Sequence, residues 1–397
     1  MACDPLPIEC RNGERGQYAS GFAMTIFHAA FDTDMMAIAL RMASLGLGVT
    51  APNPSVGAVI ANPETGEVIS RATTARGGRP HAETQAIALA GERARGATMY
   101  VTLEPCSHQG HTGPCADAII ASGLKRLVVA IEDPDPRVGG RGLDKLRAAG
   151  IEVVRGAGAI DARWITRGHI VRITERRPLV TLKLALDAQG EIAHGDGTKP
   201  VWVTGEAARA HGQLLRAKHD AILVGSGTVK ADDPELTCRL PGLRERSPVR
   251  VVLSRDLDVS LKSKLVQSAR QVPLWIATTA NSDAGKRQAL AAHGAELLDV
   301  ASVQSKLWLP AVMEALVARG ITRLLVEGGR GMWRAFADAS LVDEVILYMA
   351  GATANEAAAG TALQHQIGPV ALRLIEQRDL NPDTMWRLRR VAAKEGL

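Results

Sequence analysis

Residues 81–83 read His-Ala-Glu, and residues 105–115 read Pro-Cys-Ser-His-Gln-Gly-His-Thr-Gly-Pro-Cys. These two stretches decide the fold of the first half, because they place His81, Cys106 and Cys115 within 35 residues of one another. One imidazole and two thiolates are a three-ligand set, which leaves a zinc ion with an open position for water. The pattern predicts one catalytic Zn²⁺.

Glu83 lies two residues after His81, so its carboxylate can reach a water at the open position without binding the metal. A zinc-bound water has its pKa lowered toward about 7, and hydrolytic deamination also needs a group that moves a proton. We therefore predict that Glu83 takes a proton from water and delivers it to the ring nitrogen and the leaving ammonia. Cys115 follows Pro114 at a predicted helix start, where the dipole favours a thiolate.

A structural zinc site is the alternative for these ligands. Such a site usually closes with a fourth protein ligand, and His108 and His111 lie between the cysteines and could supply one. The chain order favours catalysis, because a helix with His-x-Glu is followed by a strand and then by Pro-Cys leading into a helix. Eight residues separate the cysteines, whereas the general signature of zinc deaminases has two.

Strand and helix patterns alternate along the chain and predict an α/β fold with two domains. In the first half, helices are predicted over 34–47, 114–122 and 143–149 and strands over 56–60, 98–103, 127–131 and 152–154. In the second half, a helix is predicted over 206–217 and strands over 179–184, 221–224, 249–253, 274–277, 324–326 and 344–348.

A basic, irregular stretch over 163–177 ends at Pro178 and marks the boundary between the domains. We predict a poorly ordered leader over 1–30, a first domain over 31–168 and a second domain over 176–397.

Composition limits the ligands. The net charge is +5, which suits a phosphorylated small molecule, and aromatic residues make up 3%, which leaves little for stacking on nucleic-acid bases. No apolar run approaches the roughly 18 residues that cross a bilayer, and five unevenly spaced cysteines do not form a disulfide framework. We expect a cytoplasmic protein without nucleic-acid or membrane partners.

Further runs around the zinc motif carry a family resemblance. They are Asn53-Pro54-Ser55-Val56-Gly57, His81-Ala82-Glu83, Leu103-Glu104-Pro105-Cys106-Ser107-His108, Cys115-Ala116-Asp117-Ala118, Asp133-Pro134-Asp135-Pro136 and Gly140-Arg141-Gly142. Together they resemble the deaminase half of the bifunctional riboflavin-biosynthesis deaminase/reductases, a family with a long inter-cysteine loop. The resemblance implies a cytidine-deaminase-like three-layer domain.

The same resemblance implies a substrate pocket for the first domain. Asn53 would help to hold the pyrimidine ring, and Asp133 and Asp135 would lie at the pocket. On the residues alone, all three could equally be turn or cap residues. The family usually carries Lys or Arg where this chain has His111, which would make phosphate binding weaker or dependent on pH.

The second half offers three features of its own. Lys183 lies within an apolar strand and must find a partner or extend its ammonium group to water. Residues 324–331 read as a strand followed by a glycine-rich turn, which lets backbone N–H groups approach a phosphate. Residues 228–239 read as a polar loop. An ordinary glycine turn and a solvated loop are the alternatives.

Matching runs in this half resemble the reductase domain of the same family, which is similar in fold to dihydrofolate reductase. The resemblance implies that NADPH and the substrate bind here and that a hydride converts the opened ribose to a ribityl chain. It assigns NADPH to Ala185, Trp202, Thr228, Asp232 and Gly329. It assigns the substrate to Lys183, Arg216, Leu236, Arg239 and Glu327.

Some positions depart from the family pattern. The family usually reads Ser-Leu-Asp-Gly where this chain has Asp187-Ala188-Gln189-Gly190, and a serine where this chain has Pro200. The stretch 194–199 is altered in length, and Ser254-Arg255 replaces an Asp-Ser pair. These changes cluster around expected cofactor and substrate contacts.

The resemblance therefore implies an enzyme that performs two steps of riboflavin biosynthesis, and we expect it to form a homo-oligomer. The first is zinc-dependent deamination of 2,5-diamino-6-ribosylamino-4(3H)-pyrimidinone 5′-phosphate, and the second is NADPH-dependent reduction of its ribosyl group. Three alternatives stay open. They are a monofunctional deaminase with an impaired reductase-like domain, a zinc-stabilised binding module without catalysis, and a nucleic-acid-editing deaminase.

Overall fold

The computed structural model describes residues 15–109, 113–192, 202–351 and 355–391, with side chains from residue 29 onward. The chain divides into two compact units. The first contains Met1–Leu45, Val56–Thr73 and Pro80–Trp164, and the second contains Gly46–Ser55, Thr74–Arg79 and Ile165–Leu397.

The first unit is built on a five-stranded sheet in the order β2-β1-β3-β4-β5. β1 pairs with β2 and β3 in antiparallel fashion, and β3, β4 and β5 are parallel. The first five residues of β1 are all buried, so helices cover both faces of the sheet, as the predicted three-layer fold requires. The strands are β1 (Gly57–Asn62), β2 (Glu67–Thr73), β3 (Thr98–Val101), β4 (Arg126–Val129) and β5 (Glu152–Arg155).

Four helices flank this sheet: α1 (Arg15–Leu45), α2 (Ala82–Ala90), α3 (Cys115–Ala121) and α4 (Arg141–Ala148). α1 lies directly against β1 at Gly57, where a Cβ atom would be 1.9 Å from the carbonyl oxygen of Ala39. Only a residue without a side chain fits this close approach of helix and strand.

Three local predictions differ from the structure. The first helix begins at Arg15 and not at residue 34, so its backbone runs through the second half of the predicted leader. The basic stretch predicted as irregular forms α5 (Ala159–Ile165) and α6 (Arg167–Glu175). The strand β2 was missed because its buried positions carry Ser70 and Ala72 while Val68 is exposed, so hydropathy does not mark its buried face.

The second unit is built on a nine-stranded sheet in the order β10-β9-β8-β7-β13-β6-β14-β16-β15. The seven strands from β10 to β14 are parallel, and a long antiparallel hairpin of β15 and β16 completes the sheet. The strands are β6 (Leu179–Leu186), β7 (Ala221–Gly225), β8 (Val249–Leu253), β9 (Leu274–Thr278), β10 (Glu296–Asp299), β13 (Arg323–Val326), β14 (Glu344–Met349), β15 (Leu372–Leu380) and β16 (Asp383–Arg390).

Two apolar clusters pack against this sheet, one containing Trp333 and Trp386 and the other containing Ile222 and Tyr348. A small hairpin of β11 (Ser302–Val303) and β12 (Lys306–Leu307) stands apart. The helices are α7 (Glu206–Ala217), α8 (Ser226–Asp232), α9 (Lys264–Gln267), α10 (Ala284–Ala292), α11 (Leu309–Ala318), α12 (Arg330–Asp338) and α13 (Glu356–Ile367). Among the described residues, no helix has the length and apolar character needed to cross a membrane.

Substituting Gly57 tests the packing of α1 on β1. Gly57→Ala places a methyl group against the backbone of Ala39, which cannot move without displacing the helix, so the free energy of unfolding should fall by about 1–3 kcal/mol or more. Urea unfolding followed by circular dichroism measures the change. Gly113→Ala is the control, because a Cβ atom there meets no atom within 4 Å. Equal stability of the two variants would contradict this packing.

Candidate active sites

His81, Cys106 and Cys115 form a cluster whose ligand atoms all lie within 4.8 Å of one another. His81 is the N-cap residue of α2, Cys115 is the first residue of α3, and Cys106 follows β3. The His81 Nδ1 atom is 3.3 Å from the Cys115 sulfur and 3.7 Å from the Cys106 sulfur. Two helix starts and a strand end therefore bring together the three predicted ligands.

The donor set fits zinc. A tetrahedral zinc with Zn–N of about 2.0 Å and Zn–S of about 2.3 Å requires nitrogen and sulfur to be about 3.6 Å apart, close to both distances in the cluster. Within the described residues, the cluster has three protein ligands, as a catalytic site needs. His108 is exposed and is not part of the cluster, and His111 lies outside the described residues.

The two thiols share a proton unequally. A hydrogen bond from Cys115 outweighs burial and lowers the pKa of Cys106 to about 4, whereas the same bond and then burial raise the pKa of Cys115. The backbone N–H of Cys115 donates to the Cys106 sulfur at 3.3 Å. The start of α3 therefore stabilises the thiolate of Cys106 through this N–H, and the thiolate expected at Cys115 in the zinc-bound site stays a prediction. A cation that binds both sulfurs must displace the shared proton.

Glu83 lies in the first turn of α2 and is buried, with 3% of its surface exposed. Its Oε2 atom has no hydrogen-bond partner among the described residues. Burial raises the pKa of Glu83 to about 6, although the nearby His81 opposes this effect. A buried carboxyl group with a free oxygen and a pKa near neutrality suits the exchange of protons with a reacting molecule.

Glu104 organises the loop that follows β4, a role that sequence reasoning missed. Its buried carboxylate accepts N–H groups from Asp133 at 3.3 Å and from Gly140 and Gly142 at 3.0 Å. The signal was a carboxylate directly before Pro105, at the end of an apolar strand. Glu104 thus ties the segment after β4 to the segment that carries Cys106.

Asp133 and Asp135 lie on this loop. The Asp133 carboxylate accepts the N–H of Asp135 at 2.9 Å, and Asp135, with 6% exposed, accepts the Arg137 guanidinium at 3.0 Å. Asn53 belongs to a segment of the second compact unit, and its Nδ2 donates to the carbonyl of Gly78 at 2.8 Å. These contacts show all three as turn and loop residues, and their contact with substrate stays a prediction.

In the second unit, a cleft of about 1000 Å³ lies at the carboxyl ends of β6, β7, β13 and β14. Crevices at this edge of a parallel sheet are where α/β proteins bind ligands. All ten residues predicted for this half line the cleft: Lys183, Ala185, Trp202, Arg216, Thr228, Asp232, Leu236, Arg239, Glu327 and Gly329. The loop expected over 228–239 begins as α8, which ends at Asp232.

An ion pair forms the floor of the cleft. The Arg216 guanidinium donates to both carboxylate oxygens of Glu327, at 3.0 and 2.8 Å. Burial opposes the charge on Glu327, but Arg216 outweighs it and holds the pKa of that carboxyl at about 2. Burial lowers the pKa of Lys183, whose ammonium lies 5.6 Å from the ring centroid of Tyr348. The floor is therefore charged, largely buried and fixed in geometry.

Tyr348 and Gln213 also line the cleft, and sequence reasoning did not select them. Tyr348 lies at the carboxyl end of the strand predicted over 344–348. That position was the sequence signal that could have identified it. Its hydroxyl is 2.7 Å from Nδ1 of His211, on α7. Gln213 carried no local signal, because its role depends on what α7 packs against.

The structure shows the positions of two residues, Gln189 and Arg255, that depart from the family pattern. Gln189 lies in a turn, and its backbone N–H donates to the side-chain carboxylate of Asp187 at 2.9 Å. Arg255 forms an exposed ion pair with Asp256 and is not among the residues that line the cleft. Pro200 and the stretch 194–199 lie outside the described residues.

Fold and sites together define a class. A His-Cys-Cys cluster beside a buried carboxyl group, on a five-stranded α/β sheet, is the arrangement of a zinc deaminase. A deep cleft at the carboxyl ends of a parallel sheet, with a glycine turn before α12, is the arrangement of an enzyme that binds a phosphate-bearing cofactor. The chain therefore combines a deaminase domain with a cofactor-dependent domain.

Comparison with known proteins identifies both parts. Residues 30–131 match the cytidine and deoxycytidylate deaminase zinc-binding region, and residues 178–385 match the RibD C-terminal domain. The riboflavin biosynthesis protein RibD of Bacillus amyloliquefaciens is 38% identical over 88% of this chain and 93% of its own length. That of Escherichia coli K12 is 36% identical over 90% of this chain and 99% of its own length.

Solved structures agree. RibD of Acinetobacter baumannii is 32% identical, with a TM-score of 0.77 over 92% of this chain and 100% of its own. The deaminase/reductase of Thermotoga maritima is 30% identical, with a TM-score of 0.76 over the same shares. The chain belongs to the RibD family, the bifunctional deaminase/reductases of riboflavin biosynthesis. The predicted fold class, zinc-dependent deaminase, NADPH-dependent reductase and pathway are confirmed.

Removing one ligand tests the metal site. Cys115→Ala leaves one imidazole and one thiolate, too few to hold zinc tightly, so metal analysis should find one zinc per wild-type chain and close to none in the variant. Cys238→Ala is the matched control, because Cys238 is also buried but lies outside the cluster. Full zinc content in Cys115→Ala would mean that the site has been placed wrongly.

Proposed function

We propose that the first unit deaminates 2,5-diamino-6-ribosylamino-4(3H)-pyrimidinone 5′-phosphate, with His81, Cys106 and Cys115 holding one zinc and Glu83 moving the proton. The observation that carries this proposal is the free Oε2 of Glu83, buried beside the ligand cluster. An unpaired buried carboxylate oxygen is costly, so it is expected where a reacting molecule supplies its partner.

The residues divide the reaction between them. When bound, zinc supplies the Lewis acidity that activates a water. A bond forms between the water oxygen and the ring carbon that carries the amino group, and the bond from that carbon to nitrogen breaks. Glu83 carries one proton of the water to the ring nitrogen and the second to the leaving amino group, so the carbon keeps the oxygen as a carbonyl and the nitrogen departs as neutral ammonia.

We assign contacts with the substrate to Asn53, for the pyrimidine ring, and to Asp133 and Asp135. Support comes from the loop between β4 and α4, which Glu104 fixes through three backbone N–H groups. A fixed loop can present polar atoms to a substrate without loss of chain entropy at binding.

Glu83→Gln separates metal binding from catalysis. The amide has the same size but cannot carry the proton, so deamination should fall by about 10²–10⁴-fold while zinc content stays at one. Ammonia release and metal analysis measure the two quantities. Glu92→Gln, an exposed acid just beyond α2, is the control and should behave as wild type. Full ammonia release by Glu83→Gln would refute this mechanism.

For the second unit, we propose that NADPH contacts Ala185, Trp202, Thr228, Asp232 and Gly329. We assign the deaminated substrate to Lys183, Arg216, Leu236, Arg239 and Glu327. The observation that supports this assignment is the convergence of all ten residues on one cleft. Ala185 lies near the end of a central strand, and Gly329 is the N-cap of α12, where backbone N–H groups point at a phosphate.

The reduction balances with one hydride and one proton. NADPH supplies the hydride. In the substrate, the bond from C1′ to the ring oxygen breaks, C1′ gains the hydride and the former ring oxygen gains the proton, which gives a ribityl chain. Arg216 is held in place by Glu327, so the floor of the cleft keeps its shape during the reaction.

The positions of the departures favour an active reductase over an impaired one. Gln189 completes an ordinary turn, and Arg255 is ion-paired outside the described lining of the cleft. Neither residue removes a charge from the floor formed by Arg216 and Glu327.

Lys183→Met tests the substrate side of the cleft. Loss of the buried ammonium removes a charged donor, worth about 1.5–3 kcal/mol, so kcat/KM for reduction should fall by about 10–100-fold. Oxidation of NADPH in the presence of the deaminated substrate measures the change, and deamination should not change. Lys230→Met, an exposed lysine of α8, is the control. A wild-type reduction rate in Lys183→Met would remove Lys183 from the site.

We further propose that the protein is a cytoplasmic homo-oligomer that does not bind nucleic acid. A low aromatic content and small phosphorylated ligands support the last point. Light scattering of the purified chain measures its assembly, and a mass equal to one chain would contradict the oligomer.

A further inference from the structure

The backbone over residues 233–239 forms one wall of the cleft and follows an uncommon path. Asp233 has φ of 39° and Leu236 has φ of 56°, both in the left-handed region. For a leucine, whose Cβ atom is close to the following carbonyl oxygen there, this conformation is strained. Such a strained segment persists only where its surroundings fix it at several points.

Contacts of three kinds fix residues 236–238, which directly precede Arg239. The side chain of Leu236 is buried, with 2% exposed. The Arg216 guanidinium donates to the carbonyl of Thr237 at 3.1 Å, and the N–H of Cys238 donates to the Ser247 hydroxyl at 3.1 Å. These contacts hold residues 236–238 and do not involve Arg239.

A fourth contact fixes Arg239 itself. The side-chain Oε1 of Gln213 accepts the backbone N–H of Arg239 at 2.9 Å. Gln213 lies three residues before Arg216 on α7, so both side chains leave the same face of the helix. Both Gln213 and Arg239 line the cleft, and the side chain of Arg239 is exposed. The backbone of Arg239 is therefore held while its guanidinium stays available to a ligand.

We propose that Gln213 is a positioning residue of the reductase: by holding the backbone of Arg239, it sets where that guanidinium meets the phosphorylated substrate. The inference rests on the substrate role proposed for Arg239. A guanidinium recognises a phosphate through a fixed fork of donors, so its geometry matters as much as its charge. Gln213 therefore acts on substrate affinity and leaves NADPH binding unchanged.

Gln213→Met in the full chain tests this role, because methionine has the same length and no strong acceptor. A hydrogen bond of this kind contributes about 0.5–1.5 kcal/mol, so KM for the deaminated substrate should rise by roughly 2–10-fold. The kcat of reduction, the KM for NADPH and the deamination rate should stay within twofold of wild type. Gln364→Met, the same change on the exposed side of α13, is the control and should alter none of them.

A double-mutant cycle shows whether Gln213 acts through Arg239. Arg239→Met alone should raise KM, and adding Gln213→Met to it should change KM by less than the single Gln213 variant does. An equal rise in both backgrounds, or an unchanged KM in Gln213→Met, would overturn the inference while the role of Arg239 stands. An unchanged KM in Arg239→Met would overturn the proposed role of Arg239 and the inference with it.

Discussion

Two helices that begin at proposed metal ligands are the constraint on which the deaminase centre depends. His81 caps α2 and Cys115 starts α3, so the backbone of each ligand is fixed before any side chain is oriented. The same start of α3 provides the N–H that stabilises the thiolate of Cys106. Because Glu83 is in the first turn of α2, the proposed proton carrier is held at the same end of the helix as the proposed metal ligand His81.

The reductase half follows a different rule. Its site is assembled from the carboxyl ends of parallel strands, and residues far apart in the chain meet there. The pair of Arg216 and Glu327 joins α7 to the end of β13, and Arg216 also holds the carbonyl of Thr237. One arginine thus connects the floor of the cleft to its strained wall.

The cluster of His81, Cys106 and Cys115, and the position of Glu83 in the first turn of α2, could be predicted from sequence because their signals are local. A histidine and a cysteine after prolines mark helix starts, and the separation of the ligands fits one cluster. The ten residues that line the cleft were predicted from the family resemblance. Lys183 alone gave a physical signal, as a charge within an apolar strand.

Other features depend on tertiary contacts that no local pattern encodes. Glu104 and Gln213 matter because of the backbone N–H groups that their side chains accept, and those groups lie 26–38 positions away in the chain. Residues Gly46–Ser55 precede β1, yet they pack with the second compact unit. The helices α5 and α6 were missed because their many charged residues resemble a linker.

The central claim is that one chain performs both steps at separate sites. Identification of products from purified protein and the diaminopyrimidine substrate tests it most directly. Without NADPH, the protein should release ammonia and accumulate the deaminated ribosylamino compound. With NADPH, the ribitylamino compound should replace it, with one NADPH oxidised per molecule. Accumulation of the deaminated compound while NADPH is not consumed would contradict the account.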